Sequence, residues 1–239
     1  MRVLGLVVLF VIGAVLGLVL GVVVIFWVSL WRAARAVHAE GVVCRAEVIA
    51  RDGVVGPRLA GPAIARLSGA FEGQATTGTD VLGLELRLQQ NAAGPDAGDQ
   101  DLVFGTFESF ATASRDRAST DAGDYLANKY SSVTPWWTPT LGPVTLRLAP
   151  PPPGARDRGS DRLGRLDADL AADRARLVLT AGATEVAELR LVERLAADAP
   201  SLRVSMFRCG RHVRPVGLRN GVRATVYPIS QLARRIRGG

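Results

Sequence analysis

The chain is short of the residues that build most metal and disulfide chemistry. Its 239 residues include two cysteines and two histidines. Two cysteines exclude a disulfide scaffold and a four-cysteine zinc site, and two histidines exclude most His-rich metal centres. Lysine is almost missing: of 29 basic residues, all but Lys129 are arginine. Beside abundant alanine, that bias reads as GC-rich coding rather than function. There is no P-loop, no G-x-G-x-x-G, no G-x-S-x-G elbow and no H-E-x-x-H, so the commonest nucleotide, serine-hydrolase and metalloprotease signatures are absent. Acid is missing from one end. Ala199 to Gly239 holds nine Arg and no Asp or Glu, whereas residues 1–198 carry 20 basic and 22 acidic residues, a net of −2. The whole positive excess of this +7 chain therefore lies in its last 41 residues. Such a stretch suits anionic lipid or the carboxylates of a cofactor. It has few aromatics and no nucleic-acid motif, so no nucleic-acid partner is expected.

What is abundant is apolar surface. Residues AVILMFWYC make up 48% of the chain, which excludes a disordered or collagen-like polymer. Val3 to Trp31 contains no charge and one hydroxyl, Ser29. About 20 such residues span a bilayer, and a cleaved signal peptide has a shorter apolar core. The segment is therefore expected to be a single-pass anchor in the lipid bilayer, with Trp27 and Trp31 at its interfacial end. Residues 1–34 are assigned to the anchor and 35–239 to one folded domain. Arg32, Arg35, Arg45 and Arg51 follow the span, against Arg2 before it, and the positive-inside rule puts the domain in the cytoplasm. Gly13, Gly17 and Gly21 recur at multiples of four and would let a second helix approach closely, which suits a homodimer. Gly is also simply common in membrane helices. Cys44 and Cys209 are compatible with a reducing compartment.

The domain reads as α+β. Eight segments have strand character: 42–51, 62–68, 81–88, 101–107, 143–148, 175–180, 186–192 and 202–208, divided by Gly, Pro and Asp clusters. Eight strands suffice for a closed antiparallel barrel. Helices are expected at 161–173, where Leu163, Leu166 and Leu170 share a face, at 121–130, and at 216–237, interrupted at Pro228.

Several segments carry candidate chemistry. Arg35-Ala-Val37-His38-Ala-Glu-Gly41 opens the first strand. Arg66-Leu67-Ser68 closes the second. Asp80-Val-Leu-Gly83-Leu-Glu-Leu-Arg87 and Asp101-Leu-Val-Phe-Gly-Thr106 follow, and Arg223-Ala-Thr-Val-Tyr227 lies on the last helix. In this order they resemble the haem-dependent catalase family, whose motifs are R-x-V-H-A-x-G, R-F-S, D-x-x-G-x-x-x-[KR], D-L-x-G-N-N and R-x-x-x-Y. By chance R-x-x-x-Y arises about 0.35 times in a chain of this composition. The five fixed positions of the first motif, with only two histidines available, are far more specific.

The resemblance implies a catalase-like antiparallel β-barrel with peripheral helices, a bound haem b and a peroxide substrate. It gives His38 the distal acid–base role, Ser68 the hydrogen bond that orients it, and Val37 the guard of the substrate channel. Arg35 and Arg66 would meet the haem propionates. Tyr227 would ligate the iron, and Arg223 would support its phenolate. The distal asparagine of the family falls at Thr106, which can offer one hydroxyl but not an amide's reach, and Leu67 replaces the usual Phe. The chemistry is coherent. Arg223 and Tyr227 are i and i+4 and share a helix face. A phenol with a pKa near 10 needs a cation and a ferric ion beside it to ionise. Two functions are expected from this pattern: a membrane-anchored enzyme acting on hydrogen peroxide or organic and lipid hydroperoxides, or a haem-free binding or scaffold module at the membrane.

Overall fold

A computed structural model describes residues 2–32, 38, 40–70, 79–90, 96–109, 111–151, 161–196 and 202–237. The apolar N-terminal run forms α1 (Arg2–Leu20), a π-helical turn at Gly21–Ile25, and α2 (Phe26–Arg32) without a break. It is long enough and apolar enough to cross a membrane. Then come β1 (Val42–Ala50), α3 (Gly56–Leu59), β2 (Gly61–Gly69), β3 (Leu82–Leu88), β4 (Gln100–Gly105) and α4 (Ala113–Ala118). The chain continues through β5 (Tyr130–Ser131), β6 (Trp136–Thr138), β7 (Gly142–Val144), β8 (Leu146–Ala149), α5 (Arg162–Ala171), β9 (Arg176–Ala181) and β10 (Thr184–Arg194). It ends with β11 (Arg214–Pro215) and α6 (Leu218–Ile236).

Eight strands close an antiparallel barrel in the order β1-β10-β9-β8-β5-β4-β3-β2, and β11-β6-β7 form a small separate sheet. The period-2 pattern explains the closure. In β1, Val42, Cys44, Ala46 and Val48 are buried while Arg45 and Glu47 are exposed. Their cross-strand partners carry the same face around the barrel: Leu67, Ala65 and Ala63 on β2, then Leu84, Leu86 and Leu88 on β3, then Phe104 and Leu102 on β4. Leu191, Leu189, Leu177, Leu179, Leu146 and Leu148 complete the filling, all essentially inaccessible. Cys44 lies in this interior. It and Cys209 are free thiols.

The outward face of β2–β3–β4 is buried as well, which is unusual for an antiparallel barrel. Its register stacks three rows: Ser68–Gly83–Gly105, Arg66–Glu85–Val103 and Ile64–Arg87–Asp101. The third row is tied down by charge. Arg87 donates two hydrogen bonds to the Asp101 carboxylate, at 2.7 and 3.0 Å, and a third to the Arg203 carbonyl. Ser205 N–H and Arg208 also donate to Asp101, both at 2.8 Å. This clamp explains why 202–208 is not a strand. Leu202, Val204 and Met206 alternate into the core as expected, but the segment is held chiefly by side chains, with Asp101 N–H donating to Arg208 O at its end.

Two further elements differ from the sequence expectation: residues 121–130, and α6, which runs through Pro228 without the expected interruption. Residues 121–130 are not helical: Asn128 Oδ1 accepts from Asp121 N–H and Asp124 Oδ1 from Leu126 N–H, so side chains take the donors that a helix would use. The segment ends in the two-residue strand β5, the eighth of the barrel. The helix expected at 161–173 is α5, N-capped by Asp161 Oδ1, which accepts from Leu163 and Gly164 N–H.

α6 is sandwiched. One face (Asn220, Arg223, Tyr227, Gln231) meets the barrel side: Asn220 donates to Pro135 O, Arg223 to Ser132 O and Gln231 to Val204 O, while Tyr227 packs on the core. The opposite face (Leu218, Val222, Thr225, Ile229) meets Gly13, Gly17 and Gly21. The close approach that the glycine spacing allows is therefore made by a helix of the same chain.

Candidate active site

The first row of the outward face contains nothing larger than a hydroxyl. Above it lies the imidazole of His38. The ring sits so close to Gly83 that a Cβ there would be 2.7 Å from Cε1 and 2.9 Å from Nδ1, well inside van der Waals contact. Glycine is thus required at position 83 by the histidine, not by its own backbone. His38 is anchored at three more points. Ser68 Oγ lies 3.0 Å from Nδ1, Arg66 Nη2 donates to the His38 carbonyl at 2.8 Å, and His38 N–H donates to Ala70 O at 3.2 Å. Its φ of 57° is left-handed, a conformation that non-glycine residues adopt at a cost. The Ser68 contact at Nδ1 fixes the orientation of the ring.

Gly41, the last fixed residue of the His38 motif, has an equally local reason. A Cβ there would lie 2.6 Å from Leu67 O and 2.9 Å from the Arg66 guanidinium carbon. Arg66 is buried, and its Nη1 faces the Glu85 carboxylate at 3.9 Å. Glu85 and Gly83 are the site residues that the sequence did not single out. Glu85 alternates with leucines and so has the pattern of a solvent-facing position. Gly83 stands within the quoted catalase-like strand, but nothing in one dimension pairs it with His38.

Of the other residues, Thr106 turns away from this row. Its neighbour Gly105 is the residue paired with Gly83. The Thr106 hydroxyl accepts from Leu82 N–H at 3.1 Å and from Thr120 Oγ1 at 3.0 Å, and it lines a separate polar cavity with Asp116, Asn128 and Lys129. Arg35 and Val37 lie outside the described residues. Arg223 Nη1 donates to Ser132 O and to Asn220 Oδ1, both at 3.3 Å.

The chain has three tyrosines. Burial pushes the phenols of Tyr125 and Tyr130 up, that of Tyr130 furthest, and Tyr130 Oη donates to the Tyr125 carbonyl. Neither is placed to become a phenolate. Tyr227, half-buried on α6, is the remaining one. His38 thus stands over a floor of small residues, and Tyr227 lies on the helix that packs against the core.

No family model matches the sequence, and no curated protein does. Solved structures do match. One is a bacterial catalase, with a TM-score of 0.52 at 13% identity over 84% of this chain and 57% of that one. The chain thus spans little more than half the length of the catalase that it resembles. At that identity the likeness is one of fold: an eight-stranded closed barrel of catalase type, preceded by an apolar helix.

Proposed function

We propose that the chain is a catalase-like haem protein, attached to a membrane by its N-terminal helix, that acts on hydrogen peroxide or on organic and lipid hydroperoxides. The observation that carries this reading is the clamped imidazole: Ser68 on Nδ1 and Gly83 beneath the ring. Tyr227 would hold the iron of haem b, and Arg35 and Arg66 would meet its propionates as bidentate donors. Bound ferric haem supplies the electrons and the Lewis acidity that cleave a peroxide O–O bond. The chain would move the proton. Nε2 of His38 takes it from one peroxide oxygen and returns it to the other, while Ser68 keeps the ring's orientation. Arg223, one turn before Tyr227, favours the anionic phenol. Val37 would guard the approach. With Gly105 and Thr106 where an amide would stand, peroxidase-type turnover is favoured over rapid dismutation.

A second reading is supported by a different observation. Arg66 already faces Glu85, and Arg223 already donates to Ser132 O. Two arginines assigned to a cofactor thus have protein partners, as a haem-free binding or scaffold module would require. The test is the absorption spectrum of the detergent-purified chain supplied with hemin, beside Tyr227→Phe. A Soret band that shifts or disappears in the variant supports the haem protein. A chain that takes up no hemin is the scaffold.

A further inference from the structure

We propose that the N-terminal helix lies along one leaflet of an anionic bilayer, in the membrane plane, instead of crossing it. The inference deepens the membrane attachment proposed above and rests on it. The helix has the composition of a span, with a mean hydropathy of 3.2 over an 18-residue window within Val3–Trp31. Its docking does not leave it free to act as one. α1 and α6 run parallel, and their contacts extend along almost the whole apolar segment. Gly217 N–H donates to Leu6 O at 3.0 Å. Gly221 fits against Phe10 and Ala14, where a Cβ would lie 2.8 Å from Ala14 N. Thr225 Oγ1 donates to Ala14 O at 3.1 Å. A Cβ on Gly17 would come within 2.7 Å of Val222 Cα, and one on Gly21 would meet the Ile229 side chain. Beyond the π-turn, Ser29 Oγ and Ser230 Oγ are hydrogen-bonded at 2.8 Å in a fully buried contact.

A crossing helix needs about 20 residues in hydrocarbon. The contacts with α6 run from Leu6 to Ser29, so no such stretch of this helix is clear of α6. To cross as docked, it would have to draw α6 in with it. α6 carries Arg219, Arg223 and Asn220, and Asn220, Arg223 and Gln231 tie it to the body of the domain. Arginine at the bilayer centre is strongly disfavoured.

The opposite side of the helix is the one that fits lipid. Leu4, Val11, Val15, Val19 and Val23 are each more than half exposed, and they form a continuous stripe at helical spacing. Such a face sinks about 5–10 Å into one leaflet. Charge and aromatics flank it at headgroup level. Trp27 and Trp31 are exposed at one end. At the other, Arg214 lies 6.0 Å over the Trp137 ring beside an apolar groove lined by Val3, Val7 and Phe10. The end of α6 continues the surface, with Leu232 and Ile236 exposed next to Arg235 and Arg237. The acid-free, nine-arginine C-terminal stretch matches an anionic leaflet.

The test is the side on which each end of the helix emerges. Arg2→Cys and Glu40→Cys are made separately in the full chain. Each is treated with a membrane-impermeant maleimide in right-side-out and in inside-out vesicles from expressing cells. The native chain, with Cys44 buried and Cys209 partly exposed, gives the background. An in-plane helix predicts that both variants label in the same vesicle orientation. Labelling in opposite orientations means a crossing helix and overturns the proposal while keeping the membrane attachment. Recovery of the chain in the soluble fraction, as a monomer or as a dimer through the apolar stripe, overturns the attachment itself.

Discussion

Gly83→Ala tests whether the site is built around His38. The added methyl would lie 2.7 Å from Cε1 and 2.9 Å from Nδ1, against a carbon–carbon contact of ~3.5–4.0 Å. The imidazole must therefore retreat by about 1 Å. The Ser68–Nδ1 hydrogen bond, now 3.0 Å, would stretch beyond useful length and forfeit about 1 kcal/mol. Removing a glycine from a strand interior returns roughly 0.5–1 kcal/mol. The net change in stability is then close to zero, and the melting temperature should stay within about 3 °C of wild type. Catalysis should not be spared, because a misplacement of ~1 Å costs on the order of 100-fold in rate. Two assays separate the terms: peroxide turnover per hemin bound, and the ring nitrogen resonances of the chain's two histidines, His38 and His212. The variant should melt normally, lose about two orders of magnitude in turnover and shift only the His38 resonances. An unshifted His38 in a folded Gly83→Ala protein would refute the argument, whatever the activity.

Other outcomes follow from the same contacts. Asp101→Asn removes the buried charge that faces Arg87 and the partly exposed Arg208, and should cost about 3 kcal/mol, read as a fall in melting temperature of roughly 6–12 °C. Thr106→Val should leave Leu82 N–H without its acceptor and cost about 1–3 kcal/mol. Turnover per haem should hardly change, because Thr106 faces another cavity; a large loss of turnover at full haem loading would restore it to the site. Burial pushes the thiols of Cys44 and Cys209 up to about 12 and about 11 from an unfolded value of 9.0. Above pH 9 the unfolded chain gives up protons that the native chain retains, so stability should be level below pH 9 and fall as pH rises toward 11. Cys44→Ala should flatten that slope in urea unfolding at pH 8, 9.5 and 10.5.

Much of the barrel could be read in one dimension because its inner face obeys a strict alternation. Val42, Cys44, Ala46 and Val48 announce β1, and the same signal marks β2, β3, β4, β9 and β10. The strand that closes the barrel could not be found that way. Tyr130–Ser131 is too short to show a period. Residues 202–208 show the converse: their alternation reflects burial, but the Arg87–Asp101 clamp, assembled from strands more than 100 residues earlier, decides their backbone. The glycine spacing of the apolar segment was legible as a close helix contact, yet the identity of the partner helix is a tertiary fact. Likewise, His38 and Ser68 came from motif order, whereas Gly83 and Glu85 needed the register of β2 with β3.

The register also explains why a ligand site would form at this end of the face and not the other. The three outward rows grow in bulk and charge from Ser68–Gly83–Gly105 to Ile64–Arg87–Asp101. The charged end is occupied by the 202–208 segment, whose carbonyl at Arg203, amide at Ser205 and guanidinium at Arg208 complete the hydrogen bonding of the Arg87–Asp101 pair. A buried pair completed in this way stabilises the fold but has no valence left for chemistry. The small end is different. Two facing glycines and a serine leave room above the sheet, and the chain fills it with the Phe107 ring over Gly105 and, over Gly83, an imidazole brought in from outside the strands on a left-handed residue. A ring held there by a hydroxyl on one nitrogen is oriented. An imidazole oriented in this way can both accept and return a proton, which is what the proposed peroxide cleavage would ask of it.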